Sequence, residues 1–371
     1  MANPDDKWMQ QALALARRGE GLTRPNPPVG AVVVKGRRKL AAGYHRRAGG
    51  PHAEVLALDR AGAAARGATL YVTMEPCSTF GKTPPCTARI VQSGLRRVVV
   101  GTRDPNPRHK GKGIRLLRSA GLDVTVGVAG REAETLIEPF AVWIREQRPF
   151  ATLKLGTSLD GKIGDRAGRS RWITGPVSRS AVQALRRRVD AVLVGVGTAV
   201  SDNPGLLPRP SRGREPYRIV ADTHGRLPFN AKLLNDEHAQ RTIVATTRHC
   251  SRARRERYRA KGACVWVLPQ ARGRVSLAQL FRRLGRFGLL HVLCEGGGTL
   301  AEELARAGLV DEYLFFVAPR LIGGRDAVPA LGGHGWSLAR APQVRILEHV
   351  RTGSDLLIRA RPTRHCAGRK A

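Results

Sequence analysis

Along the first 130 residues, apolar positions recur alternately at helical and at strand spacing. From Asp5 to Arg18, residues Trp8, Met9, Leu13 and Ala16 fall at helical intervals, and the unbroken apolar stretch Val29 to Val34 reads as a buried strand. The same periodicities predict helices over Ala53 to Ala65, Ala88 to Ser93 and Ile114 to Ala120, and strands over Thr69 to Met74, Arg97 to Gly101 and Val124 to Val128. Alternation of this kind implies a largely buried sheet covered by helices, an α/β domain.

The pattern breaks at Glu146-Gln147-Arg148-Pro149 and then begins again. Strands are expected over Ala151 to Leu155, Ala191 to Gly195, Tyr217 to Asp222, Thr242 to Thr246, Cys264 to Leu268, His291 to Glu295 and Tyr313 to Pro319. Helices are expected over Ser178 to Arg188, Leu277 to Phe287 and Thr299 to Ala307. Two consecutive α/β domains follow, spanning 1–147 and 148–371, without a long flexible linker. No internal repeat is visible, and the end of the chain from Arg361 lacks apolar periodicity and is expected to fray.

Charge complicates this picture. The 371 residues carry 64 Lys plus Arg against 29 Asp plus Glu, a formal net charge of +35, and 53 of the basic residues are arginine. Nucleic-acid binding is one explanation, since clustered cations neutralise phosphates and release counterions. Three features point instead to compositional bias. Both halves are basic, dense runs are confined to Arg186–Arg188 and the stretch Arg252 to Arg259, and the aromatic residues that stack bases amount to 5%. The acidic start Met-Ala-Asn-Pro-Asp-Asp does not read as a secretory signal, and no stretch approaches the roughly 18 apolar residues of a membrane helix. Six scattered cysteines make no disulfide framework, so a cytoplasmic, thiol-reduced protein is expected, in which paired cysteines suggest metal.

Such a pair exists. Pro51-His52-Ala53-Glu54 is followed by Glu75-Pro76-Cys77 and Pro84-Pro85-Cys86, which supplies one imidazole and two thiolates. Three protein ligands suit a catalytic Zn²⁺ that keeps its fourth position for water. Glu54, two residues after His52 in the expected first turn of a helix, reaches that water without being a ligand and can shuttle its proton to a leaving amine. A lone His or Cys is ordinarily a packing residue; the constellation carries the reading, and it is the zinc deaminase layout, although eight residues separate the two cysteines where Cys-x-x-Cys is usual. Cys250, Cys264, Cys294 and Cys366 lack comparable partners and read as packing or surface residues.

The second domain has glycine-rich turns at Gly195-Val196-Gly197-Thr198 and Gly296-Gly297-Gly298-Thr299. Taken alone, each reads first as a tight turn requiring positive φ. The second also lies between a strand and a helix, where backbone N–H groups make an anion site for a dinucleotide phosphate, yet neither is the Gly-x-Gly-x-x-Gly of the Rossmann fingerprint.

Several segments together resemble the bifunctional riboflavin biosynthesis family RibD. They are Pro25-Asn26-Pro27-Pro28-Val29-Gly30, Gly43-Tyr44-His45, Pro51 to Glu54, the long loop Glu75 to Cys86 ending Gly-Lys-Thr-Pro-Pro-Cys, and Asp104-Pro105-Asn106-Pro107. Lys154 to Lys162, Ser170-Arg171-Trp172-Ile173-Thr174, Asp190 to Thr198, Asp202-Asn203-Pro204 and Glu295-Gly296-Gly297 resemble its reductase half. The resemblance implies a cytidine-deaminase-like α/β/α domain followed by a dihydrofolate-reductase-like α/β domain that uses NADPH. It further implies deamination of 2,5-diamino-6-ribosylamino-4-pyrimidinone 5'-phosphate and then reduction of the ribosyl chain to ribityl.

Carried over by position, His52, Cys77 and Cys86 hold zinc and Glu54 is catalytic, while Asn26, His45 and Lys82 contact the first substrate. Gly156, Trp172, Thr198, Asp202, Thr223 and the turn Gly297, Gly298, Thr299, Leu300, Ala301, Glu302 and Glu303 contact NADPH. Ser170, Arg186, Leu206, Arg209 and Glu295 contact the second substrate, the arginines being suited to its phosphate. The chain departs from the family at Thr79 and Phe80, where His follows Cys-Ser, and at Gln183, Asn203 and Leu207. The partners implied are small phosphorylated pyrimidines, with homo-oligomers left open; a nucleic-acid deaminase with a basic RNA-binding second domain is the competing reading, favoured by charge and opposed by the wide cysteine spacing.

Overall fold

The computed structural model describes residues 4–80, 84–211 and 215–363. The chain divides into two compact units, Met1–Arg148 and Pro149–Ala371.

The first unit runs α1 (Pro4–Ala16), β1 (Gly30–Lys35), β2 (Arg38–Tyr44), α2 (Ala53–Ala61), β3 (Thr69–Met74), α3 (Cys86–Gln92), β4 (Arg97–Thr102), α4 (Lys112–Ser119), β5 (Asp123–Val126) and α5 (Gly130–Glu146). Its sheet has the order β2-β1-β3-β4-β5, with β1 antiparallel to both neighbours and β3, β4 and β5 parallel. Alternate residues of each buried strand serve opposite layers. Ala31, Val33, Leu70 and Val72 meet Ala53 and Ala57 of α2, Ile90 of α3 and Leu117 of α4, whereas Val32, Val34 and Tyr71 meet Met9 and Leu13 of α1 and Ala133 of α5. The result is the expected α/β/α sandwich. Asp5 ties α1 to the sheet, accepting a hydrogen bond from Tyr71 Oη at 2.7 Å and two from Arg97 at 2.7 and 3.1 Å.

The second unit contains β6 (Phe150–Ser158), β7 (Lys162–Gly164), α6 (Pro176–Arg186), β8 (Ala191–Gly195), α7 (Val196–Asp202), β9 (Tyr217–Ala221), α8 (Lys232–Asn235), β10 (Thr242–Thr246), α9 (Arg252–Ala260) and β11 (Cys264–Val267). It continues with β12 (Gln270–Ala271), β13 (Arg274–Val275), α10 (Leu277–Arg286), β14 (His291–Cys294), α11 (Gly298–Arg306), β15 (Glu312–Ala318), β16 (Val328–Pro329), β17 (Val344–Thr352) and β18 (Asp355–Pro362). Its nine-stranded sheet has the order β11-β10-β9-β8-β14-β6-β15-β18-β17, parallel as far as β15 and closed by an antiparallel hairpin. Helices α10 and α11 pack on one face through Phe281, Leu284 and Leu304, and α7 and α9 on the other through Ala199 and Tyr258.

The expected fraying from Arg361 is corrected in part: Arg361 and Pro362 complete strand β18, while residues 364–371 lie outside the described residues. Among the described residues no helix is long and apolar enough to cross a membrane.

Candidate functional site

In the first unit, β2 leans on the start of α2. A Cβ at Gly43 would sit 2.8 Å from the Ala53 carbonyl oxygen, so only glycine permits this approach, which fixes the height of the helix N-terminus. His52 is the N-cap residue of α2 and Glu54 lies in its first turn. Cys77 follows β3, and Cys86 begins α3 after Pro85. His52 Nδ1 stands 3.2 Å from Cys86 Sγ and 3.5 Å from Cys77 Sγ, and the ligand atoms of the three residues all lie within 4.8 Å of one another. The Cys86 backbone N–H also donates to Cys77 Sγ at 3.2 Å; the Cys86 thiol first, and this N–H with it, hold the Cys77 pKa well below the usual cysteine range and favour a thiolate there. One imidazole and two thiolates at this spacing form the donor set that zinc prefers.

Glu54 is buried, 4% exposed, and burial raises its carboxyl above the ordinary glutamate range. Beside it, His45 packs edge-on to His52 with ring centroids 5.2 Å apart. The Pro51 carbonyl, 3.1 Å from His45 Nδ1, can only accept, so Nδ1 carries the proton and Nε2 accepts from the Asn26 amide at 3.1 Å. Burial lowers the His45 pKa, in keeping with a neutral ring. Lys82 lies outside the described residues.

Glu75, in the sequence motif but without a role there, proves to be a structural anchor. Its Oε2 accepts from the backbone N–H groups of Asp104 and Gly111 at 3.1 and 3.0 Å, and its Oε1 from Gly113 at 2.9 Å. The carboxylate thereby caps α4 and pins the segment Asp104 to Gly111 beside the cysteine loop, where His109 Nδ1 lies 3.5 Å from Thr79 Oγ1. A side chain at Gly113 would meet the Pro76 oxygen at 2.2 Å.

In the second unit, one cavity of about 1900 Å³ opens at the carboxyl ends of the parallel strands. Gly156, Ser170, Trp172, Arg186, Thr198, Asp202, Leu206, Arg209, Thr223, Glu295, Gly297 to Leu300 and Glu303 all line it. Thr198 Oγ1 accepts the Gly297 N–H at 3.0 Å, joining the turn after β8 to the turn after β14. Ser170 Oγ reaches Asp202 at 3.4 Å, and Arg179 and Arg171 flank the Trp172 ring at 4.7 and 5.8 Å.

Three expectations change here. Arg186 does not offer a free fork to a phosphate, because its Nε and Nη2 bind Glu295 at 2.7 and 3.0 Å and its Nη1 donates to the Leu207 carbonyl. Ala301 and Glu302 do not line the cavity: Ala301 is wholly buried in the core and Glu302 pairs with Arg306. The glycine turns are not positive-φ turns, Gly195 and Gly297 having φ of −77° and −64°. Close approach requires the glycine instead at Gly298, whose Cβ would meet the Pro329 oxygen at 2.3 Å.

Lys154 was missed as a cavity residue. It lines the cavity from β6, and burial lowers its pKa against the opposing pull of Glu295. The signal was a single lysine inside the apolar run Phe150 to Leu155.

The chain matches the cytidine and deoxycytidylate deaminase zinc-binding region over residues 2–102 and the RibD C-terminal domain over residues 149–358. It is 43% identical over 356 residues to the riboflavin biosynthesis protein RibD of Aquifex aeolicus, covering 95% of this chain and 97% of that one. Against the Escherichia coli K12 protein of the same name the identity is 39% over 371 residues, with 95% and 98% covered. Among solved structures, a diaminohydroxyphosphoribosylaminopyrimidine deaminase/5-amino-6-(5-phosphoribosylamino)uracil reductase from Thermotoga maritima superposes with a TM-score of 0.86 at 36% identity, covering 97% of this chain and 99% of that one. Acinetobacter baumannii RibD gives a TM-score of 0.86 at 35% identity, with 97% and 99% covered.

Proposed function

The chain belongs to the RibD family and is a bifunctional deaminase and reductase of riboflavin biosynthesis, and from that premise we propose which residues carry each reaction. The observation that supports the reading most strongly is the convergence of His52, Cys77 and Cys86 beside a buried Glu54. The Thermotoga relative's name supplies the substrates, a phosphoribosylaminopyrimidine to deaminate and a phosphoribosylaminouracil to reduce.

In the first unit His52, Cys77 and Cys86 would hold zinc, which when bound would supply the Lewis acidity that makes water nucleophilic near neutral pH. Glu54 takes the proton of the attacking water and returns it to the departing amino group, a double task suited to a carboxyl whose pKa burial raises. His45, with both ring nitrogens engaged, is a positioning residue that orients Asn26 towards the pyrimidine.

In the second unit NADPH supplies the hydride. The turn from Gly297 to Leu300 at the start of α11 would receive its pyrophosphate, and Trp172 and Gly156 would border the reducing end, all of them lining the cavity. Arg186 holds Glu295 ionised, below the usual glutamate range, and with Lys154 this trio orients the ribosylamino group. Since Arg186 is engaged, Arg209 takes the substrate phosphate; it is exposed at the cavity edge, its backbone N–H anchored to Gln183 at 2.9 Å.

Metal analysis tests the first half: one zinc per chain in the wild type and loss of zinc in His52→Ala. A zinc-replete His52→Ala protein would refute the ligand assignment.

A further inference from the structure

We infer that the tip of the β12–β13 hairpin, Arg272 above all, reads the ribose 2'-phosphate of NADPH and sets the preference for NADPH over NADH. The inference rests on the proposed cofactor site and extends it to an end of the cavity to which only Thr223 had been assigned.

Strand order orients the cofactor. The pyrophosphate turn follows β14, and Lys154, which with the Arg186–Glu295 pair orients the ribosylamino end, stands on β6, the neighbour of β14 on the side away from β8. A dinucleotide laid across the carboxyl edge must therefore run from β14 over β8 towards β9, β10 and β11. Neighbouring strands lie about 4.8 Å apart, so β9 is roughly 10 Å from β14, the reach of a pyrophosphate to its adenosine ribose.

At that place the cavity wall is cationic and held firmly. Thr223, His224 and Arg226 lie on the loop after β9, whose Asp222 carboxylate accepts from the Arg226 and Leu227 N–H groups at 2.8 Å each. The hairpin is clamped above this loop by the Val275 N–H, which donates to Thr223 Oγ1 at 3.1 Å. Arg272 and Arg274 of the hairpin also line the cavity, and Glu303, 4.0 Å from Arg274, is the acid beside that pair.

The backbone of the tip adds an independent argument. Arg272 and Gly273 have φ of +50° and +71°, the signs of a two-residue type I' turn. The first position of such a turn favours Asn, Asp or Gly, and a long side chain there is disfavoured. An arginine held in that conformation at the rim of a cavity that Arg226 and Arg274 also line is explained by an anion that its side chain meets. NADH carries a hydroxyl at that place and offers these arginines no phosphate. The phosphate of the reduced substrate belongs to the other end, near Arg209.

Calorimetric titration of 2',5'-ADP against 5'-AMP tests this without turnover. The wild type should bind 2',5'-ADP at least about tenfold more tightly than 5'-AMP, the scale of a charge-assisted contact. Arg272→Asn suits the turn, so the hairpin survives; it should lower that preference about tenfold while leaving 5'-AMP binding unchanged. Equal binding of the two nucleotides by the wild type, or an undiminished preference in Arg272→Asn, overturns the inference. A parallel titration separates the two levels: equal affinity for NADPH and NADH defeats the 2'-phosphate reading alone, whereas no binding of NADPH defeats the cofactor site and this inference with it.

Discussion

Arg186 grips Glu295 with two parallel hydrogen bonds, Nε to Oε1 at 2.7 Å and Nη2 to Oε2 at 3.0 Å, inside the reductase cavity. Their side chains are only 15% and 9% exposed, so each charge depends on the other for its solvation. Glu295→Ala would leave the guanidinium buried and unpaired, destabilising the second unit by about 3 kcal/mol. NADPH oxidation should be lost while ammonia release continues, which denaturant titration and the two activity assays read separately.

Glu54→Gln preserves size but cannot accept the proton of the attacking water. Ammonia release should fall by at least about a hundredfold with zinc content unchanged. A variant that loses its zinc would mark Glu54 as a structural support rather than a proton carrier.

Glu75 accepts backbone hydrogen bonds from four residues of the segment, Asp104, Gly111, Gly113 and Ile114. Glu75→Ala strands those buried donors at a cost of about 2–4 kcal/mol. Thermal unfolding should show the loss in the first unit, and the deaminase should weaken because the segment that meets Thr79 is no longer pinned.

His291 gives a pH signature. Burial lowers it to about 4 from an ordinary 6.5, with Asp311 opposing, so the folded protein keeps the ring neutral where the unfolded chain protonates it. Stability is therefore lost as pH falls from 6.5 towards 4, on the order of 3 kcal/mol across the window. Between pH 7 and 4.5, His291→Gln should lose about 2 kcal/mol less stability than the wild type in denaturant titrations.

Much of this was legible in the sequence, and the pattern of what was not has physical causes. Strands Ala191–Gly195 and Thr242–Thr246 match their apolar runs end to end, because buried parallel strands show apolar side chains to both faces. The edge strand β2 was invisible, since Arg38 and Lys39 are exposed, and α5 was hidden by Pro139 within it. The exposed strand β17 likewise shows no continuous apolar run, with Arg345, Glu348 and Arg351 among its apolar residues.

Within the sites, the residues proposed to hold zinc and to carry the proton lie in short motifs of distinctive residue types, so residue type and order expose them. Lys154 is marked locally only as a lone charge in an apolar run, and Glu75 acts through backbone partners far along the chain, so its motif shows the residue without its role. The basic run from Arg252 to Arg259 is a similar case: it forms most of α9, where Arg254 and Arg257 stack on Phe229 at 4.4 and 3.7 Å. Part of the arginine excess is thus packing, which composition cannot distinguish from a nucleic-acid surface.

The most direct test of two reactions in sequence supplies the diaminopyrimidine phosphate and NADPH together to wild type and to Glu54→Gln, following ammonia and NADPH absorbance in one cuvette. The wild type should release ammonia and oxidise NADPH in equal amounts; Glu54→Gln should do neither, and regain NADPH oxidation when given the deaminated aminouracil phosphate. Undiminished ammonia release by Glu54→Gln, or wild-type deamination with no fall in NADPH, would contradict the account.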